Sequence, residues 1–184
     1  FDAFWNRVIA EELDPVLPVE IEKKEFHCGD PGDIVYDVKI ACPGTAPVSG
    51  YLRLPRDAAE KSLPIRVGFI GYGVCGAPIP TKGRAIQLNI NQHGIENGQS
   101  AEYYQQLAET KFAGFGFNEE ENKNPDTVYF KYMILRALQA VRYCRTLPQW
   151  DGVNVTVSGG SMGAFQATSA AALDRSVTKL EINV

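Results

Sequence analysis

The chain has 184 residues, 45% hydrophobic and 22% charged, with a formal net charge of −4. That length suffices for one domain with its own core, and the acidic balance argues against nucleic acid or an anionic membrane surface as partner. No apolar run reaches the roughly 20 residues of a membrane-spanning helix. Cys28, Cys42, Cys75 and Cys144 are too scattered for a C-x-x-C pair, so they are expected to be mostly free and buried, and neither metal nor cofactor is expected.

"FDAFWNRVIAEEL" opens the chain with Phe1, Phe4, Trp5, Val8, Ile9 and Leu13 at helical spacing. This predicts an amphipathic helix stopped by Pro15 and Pro18, so that residues 1–20 form a helical segment packed on the domain. In "DIVYDVKI", Ile34, Tyr36, Val38 and Ile40 alternate with Val35, Asp37 and Lys39, the period of a strand. "PGTAP" is a turn and "VSGYLRLP" alternates again, which predicts an antiparallel hairpin.

Ile65 to Ile70 is nearly continuous in apolar character, interrupted by Arg66, and reads as a strand buried on both faces. It runs straight into the glycine-rich loop "GYGVCG". "RAIQLNINQHG" predicts another strand ending in a polar loop, and Ser100 is placed to cap a short helix reaching Glu109. "NEEENKNPD" reads as a solvated connection. Asp126 is then expected to cap a helix on which Phe130, Ile134, Ala137, Val141 and Cys144 recur at steps of four and three until Pro148. "VNVTVS" is a strand, "MGAFQATSAAALD" a helix and "VTKLEINV" a last strand. This alternation predicts a parallel sheet with helices on its faces, made mixed by the hairpin in front.

Gly159-Gly160-Ser161-Met162-Gly163 fits G-x-S-x-G. Alone the pattern is weak, but here a strand ends at Ser158 and a helix starts near Met162, the strand–turn–helix arrangement that a nucleophilic serine requires. Gly159 and Gly163 remove Cβ atoms that would collide as strand and helix approach. The helix start aims unpaired N–H groups at the site, and Ala164, Ala167 and Ala171 let the helix lie close to the sheet. The plainer reading is a glycine-rich β–α turn with an ordinary capping serine.

Taken in order, several stretches resemble the acetyl xylan esterase/cephalosporin C deacetylase family of α/β-hydrolases. The aromatic first helix comes first, then "VYDVKI" and "VSGYLRLP". "FIGYG" stands where the family has a His-Gly-Tyr-Gly loop, and "YCRTLPQWDGVNVTVSGGSMGA" and "AAALDRSV" flank the serine. The resemblance covers nearly the whole chain but only about the front half of a family catalytic domain. It implies an α/β-hydrolase-like mixed sheet, mostly parallel, with an antiparallel N-terminal hairpin and helices on both faces, its C-terminal part missing. It further implies that Ser161 is the nucleophile and that the backbone N–H groups of Tyr72 and Met162 form the oxyanion hole. Ile70 departs from the family's histidine, Met162 from glutamine and Ala164 from glycine. Asn89, Ile90, Asn91 and Gln92 occupy the region of an Asp-x-Arg-Gly motif. These departures spare the backbone donors and bear on the substrate pocket and on the family's oligomeric contacts.

A serine nucleophile needs a base and an orienting acid, in this fold in the order Ser, Asp or Glu, His. His27 and His93 both precede Ser161. His27 reads as a surface residue. His93, near a strand end, is the one stand-in for a base, in the wrong order. Asp174 reads as a helix end in local contact with Arg175. The expectation is therefore a truncated single domain over 1–184, beginning at Phe1 without a leader and inactive alone. It would belong to a serine carboxylesterase that removes acetyl groups from acetylated xylan or related sugar esters. The alternative is a non-catalytic hydrolase-like protein that binds carbohydrate or assembles with others. The expected partner is an acetylated carbohydrate or other small acetyl ester, with no nucleic acid and no membrane. The resemblance implies a homo-oligomer, and a polysaccharide substrate implies a secreted or periplasmic location.

Overall fold

A computed structural model describes residues 1–27 and 29–183; Cys28 and Val184 lie outside the described residues. Asp2–Val8 forms helix α1, which widens into a π-helical turn over Ile9–Leu13. Trp5, Val8 and Leu13 from this segment enter the main core.

Seven strands follow among the described residues: β1 (Glu20–Phe26), β2 (Asp33–Ile40), β3 (Val48–Pro55), β4 (Leu63–Phe69), β5 (Ile86–Asn91), β6 (Trp150–Gly160) and β7 (Lys179–Asn183). They form one sheet in the order β1-β2-β3-β5-β4-β6-β7. The pairs β1–β2, β2–β3 and β3–β5 are antiparallel, whereas β4–β5, β4–β6 and β6–β7 are parallel. The helices are α2 (Ala101–Glu109), α3 (Glu119–Asn122), α4 (Tyr129–Thr146) and α5 (Met162–Leu173).

Strand alternation gives the sheet two different faces. Val38, Ile40, Leu52, Leu88, Ile90, Val67, Phe69 and Val157 lie on the apolar one, within a core shared with α4 and α5. The other carries Ser49, Arg53, Gln87, Asn89 and Asn91, aligned by register across β3 and β5. Its polar groups are satisfied by backbone carbonyls of the β4–β5 connection and the loop after β5. Arg53 donates to Pro80 (3.0 Å), Gln87 to Thr81 (2.8 Å), Asn89 to Pro78 (3.0 Å), and Ser49 and Asn91 to Ile95 (2.6 and 3.0 Å). Tyr104 of α2 donates to Glu96 O and ties that helix to the same side.

Three local expectations need correction. The N-cap of α4 is Val128, without a side-chain cap; Asp126 instead takes Arg7 at 2.5 Å, because its carboxylate faces α1. Asp174 accepts from the backbone N–H and hydroxyl of Ser176 and lies 3.7 Å from Arg145, so Arg175 is not its partner. Cys42 is half-buried and Cys75 exposed, leaving Cys144 the buried one among the described cysteines.

Register positions the site. Phe69 pairs with Ile90 on one side and with Gly159 on the other. The residues after β4, β5 and β6 therefore emerge together at the carboxyl edge of the parallel strands, where ligands of such sheets bind.

Candidate active site

Ser161 sits between the end of β6 and the start of α5 with φ 53° and ψ −123°. A side chain at such a φ is strained, and strain of this kind persists only where the surroundings enforce it. The two glycines supply the enforcement. A Cβ on Gly159 would come within 2.3 Å of the Gly163 carbonyl oxygen, and one on Gly163 within 2.4 Å of the Phe69 carbonyl oxygen. Strand, turn and helix are thus in backbone contact, and Ser161 is pushed to an exposed position at the apex. Its own N–H donates to Asn183 O at 3.0 Å, while its carbonyl accepts from Ala164 and Phe165.

The loop after β4 lies beside it. A Cβ on Gly71 would sit 3.8 Å from Cβ of Ser161. Three carbonyls of this loop are held from behind. Gln166 donates to Ile70 O (3.1 Å), and Gln92 donates to Gly71 O and Gly73 O (3.3 and 2.5 Å). The ring Nε2 of His93 meets Gly73 O at 3.0 Å. Among the described residues, the backbone N–H groups of Tyr72 and Met162 have no hydrogen-bond acceptor. Met162 is the first residue of α5, where orphan amides and the helix dipole favour negative charge. Tyr72 turns its ring outward, 55% exposed, stacked on Phe115 at 4.4 Å. Phe165, 46% exposed and one turn after Ser161, packs edge-on against Phe130.

His93 cannot serve as the base for Ser161 in this arrangement, because both ring nitrogens are engaged. A carbonyl only accepts, so Nε2 carries the proton, and Nδ1 accepts from the Tyr129 hydroxyl at 2.5 Å. Burial, helped by the positive charges of Arg136 and Lys111, pushes its pKa down to about 4. The ring is neutral at physiological pH. Arg136 completes the support: it is 4% exposed and donates twice to Gln92 O, at 2.9 and 2.6 Å. His27, the other histidine, lies exposed beyond β1. Among the described residues no cluster of His, Cys, Asp and Glu is fit to hold a metal, and no helix is long and apolar enough to cross a membrane.

Sequence reasoning did not find the clamp of Gln92, His93, Gln166, Tyr129 and Arg136. Its only local trace is the Gln-His pair directly after a buried strand.

A family model described as acetyl xylan esterase (AXE1) matches residues 1–184. The acetyl esterase Axe7A of Xylanibacter ruminicola is 27% identical over 187 residues, an alignment covering all of this chain and 42% of that protein. Among solved structures, the acetyl xylan esterase from Paenibacillus sp. R4 superposes with a TM-score of 0.74 at 20% identity, covering 98% of this chain and 57% of that one. Acetyl xylan esterase 1 from Thermoanaerobacterium sp. JW/SL YS485 gives a TM-score of 0.69 at 19% identity, covering 97% and 56%. At these identities the superpositions establish the fold, an α/β-hydrolase-like mixed sheet. The chain spans about half the length of the proteins it matches.

Proposed function

Because the chain belongs to the acetyl xylan esterase family, we propose that the full-length protein carrying it is a serine esterase that removes acetyl groups from acetylated xylan or related sugar esters. Ser161 is the nucleophile. Its hydroxyl oxygen bonds to the ester carbonyl carbon as its proton passes to a general base. The carbonyl oxygen becomes an oxyanion held by the N–H groups of Tyr72 and Met162. Collapse of that intermediate breaks the bond to the sugar oxygen, which leaves as a hydroxyl with the proton returned by the base. Water then releases acetate from Ser161 by the same steps in reverse. The base and its orienting carboxylate come from residues outside this chain, since neither His27 nor His93 is placed to serve. These 184 residues alone are accordingly inactive. A secreted or periplasmic location suits a polysaccharide ester.

The observation that carries this reading is the backbone of Ser161, an L-residue held at φ 53° by glycine contacts on both sides. An ordinary capping serine has no need of that strain, which also weighs against the non-catalytic, carbohydrate-binding alternative. The test is fluorophosphonate labelling of the full-length protein with turnover of p-nitrophenyl acetate. Labelling confined to Ser161 and lost in Ser161→Ala supports it. A native protein that neither labels nor turns over, yet binds acetylated xylan, would establish the alternative.

A further inference from the structure

A cavity of about 280 Å³ borders the loop clamp, lined among others by Arg136, Lys111, His93, Tyr129, Tyr132 and Thr127. Ser161, Tyr72 and Met162 are not on its wall. A guanidinium removed from water is costly unless paired. Arg136 is 4% exposed, and two of its nitrogens, Nε and Nη2, are spent on the carbonyl of Gln92. The Tyr129 hydroxyl is a further side-chain partner of the group, but among the described residues no carboxylate comes within ion-pairing distance of it. Lys111 has no carboxylate partner among them either; its ammonium lies 5.2 Å over the Phe112 ring at the same cavity. The neighbouring His93 is neutral and adds no charge of its own.

We propose that this cavity is a binding site for a small monocarboxylate. A buried guanidinium without a carboxylate partner, joined by an ammonium at the same cavity, is the charge that a planar carboxylate matches. The rings of Phe112 and Tyr132 supply an apolar wall for the organic remainder, and the hydroxyl of Thr45 supplies a further polar contact. Glu121, the one carboxylate on the wall, opposes a more highly charged anion such as phosphate. The site stands whether or not Ser161 hydrolyses an ester.

The test uses the full-length protein after fluorophosphonate treatment, with sodium acetate as probe, acetamide as its neutral twin and inorganic phosphate as the competing anion, read by saturation-transfer NMR at constant ionic strength. Acetate should bind saturably in the millimolar range, acetamide should not, and phosphate should displace acetate poorly. Lys111→Met, which alters an exposed side chain and leaves the clamp intact, should weaken acetate binding at least threefold. Arg136→Gln should abolish it if the variant folds. Absence of saturable acetate binding, equal binding of acetamide, or an unchanged affinity in Lys111→Met would each overturn the proposal. If the fluorophosphonate fails to react, the esterase reading suffers, but the Lys111 comparison still reports on the cavity.

Discussion

The ring Nε2 of His93 lies 3.0 Å from the carbonyl oxygen of Gly73, across 20 residues of sequence. Gln92 grips the same oxygen at 2.5 Å and Gly71 O at 3.3 Å. With the carbonyls of Gly71 and Gly73 bound behind the loop, the Tyr72 N–H between them is left without an acceptor. The donor proposed for the oxyanion is thus set by side chains that hold the loop through its carbonyls.

Gln92→Leu should separate positioning from binding. Loss of the two carbonyl bonds frees the loop, and a donor misplaced by about 1 Å costs up to roughly a hundredfold in rate. We expect kcat of the full-length enzyme to fall ten- to a hundredfold with KM little changed. Global stability should change little, since Gln92 Oε1 is already buried without a partner. Steady-state kinetics beside thermal melting read both; a loss confined to KM would contradict the role.

The neutral, buried state of His93 has a signature in acid. Its folded pKa, about 4, lies below the unfolded value of 6.5. The unfolded chain therefore binds the proton first as pH falls. The stability that His93 contributes is fully present above pH 6.5 and is lost progressively down to pH 4, by an amount of at most roughly 3 kcal/mol. His93→Gln keeps a donor for Gly73 but does not titrate. Its urea-unfolding free energy should fall less steeply between pH 6.5 and 4 than that of the wild type; parallel profiles would show that His93 does not sense the proton.

At Ser161, function and backbone pull apart. Ser161→Gly and Ser161→Ala should both lose esterase activity of the full-length protein by several orders of magnitude. Only the glycine variant relieves the positive φ, and it should be more stable than the alanine variant by about 1–2 kcal/mol. Melting temperatures in the reverse order would mean that the turn is not strained.

The two glycines beside it should be intolerant for a different reason. Gly163→Ala places a methyl group 2.4 Å from the Phe69 carbonyl oxygen, and Gly159→Ala places one 2.3 Å from that of Gly163. Each should cost about 3 kcal/mol or more. Gly152→Ala, at φ +82° with nothing within 4 Å, carries backbone strain alone and should cost about 1 kcal/mol. Chemical denaturation of the three variants gives the comparison.

Much of the fold was legible because local patterns repeat in the packing. The hairpin of β2 and β3, the strand β4 and the strand–turn–helix around Ser161 all follow from alternation, apolar continuity and glycine spacing, although β4 is buried on one face only, with Arg66 exposed on the other. Strand β1 was not legible. All seven of its residues are exposed, so no buried face marks it, and only pairing with β2 makes it a strand. The arginine of "VSGYLRLP" gave no sign that Arg53 would be buried; its charge is met by Asp33 at the start of β2 and by Asp30 just before it. The clamp was hidden for a similar reason. Arg136 meets Gln92 across 44 residues and Gln166 meets Ile70 across 96, and such pairings leave no periodicity behind. The turn around Ser161 is written in five neighbouring residues, whereas the loop that faces it is held by groups assembled only when the sheet forms.

The two rims of the sheet differ in how they would receive another strand. Along β1, Glu20, Glu22, Lys23 and Lys24 form ion pairs within the strand, and an incoming backbone would have to displace or desolvate them. Along β7, Lys179 and Glu181 occupy one face, but Leu180 and Ile182 remain 39% and 49% exposed on the other. Charge discourages strand addition and exposed aliphatic side chains invite it. The β7 rim is therefore the side on which the sheet formed by these residues is open to continuation by a further strand, and the β1 rim the side on which it is guarded.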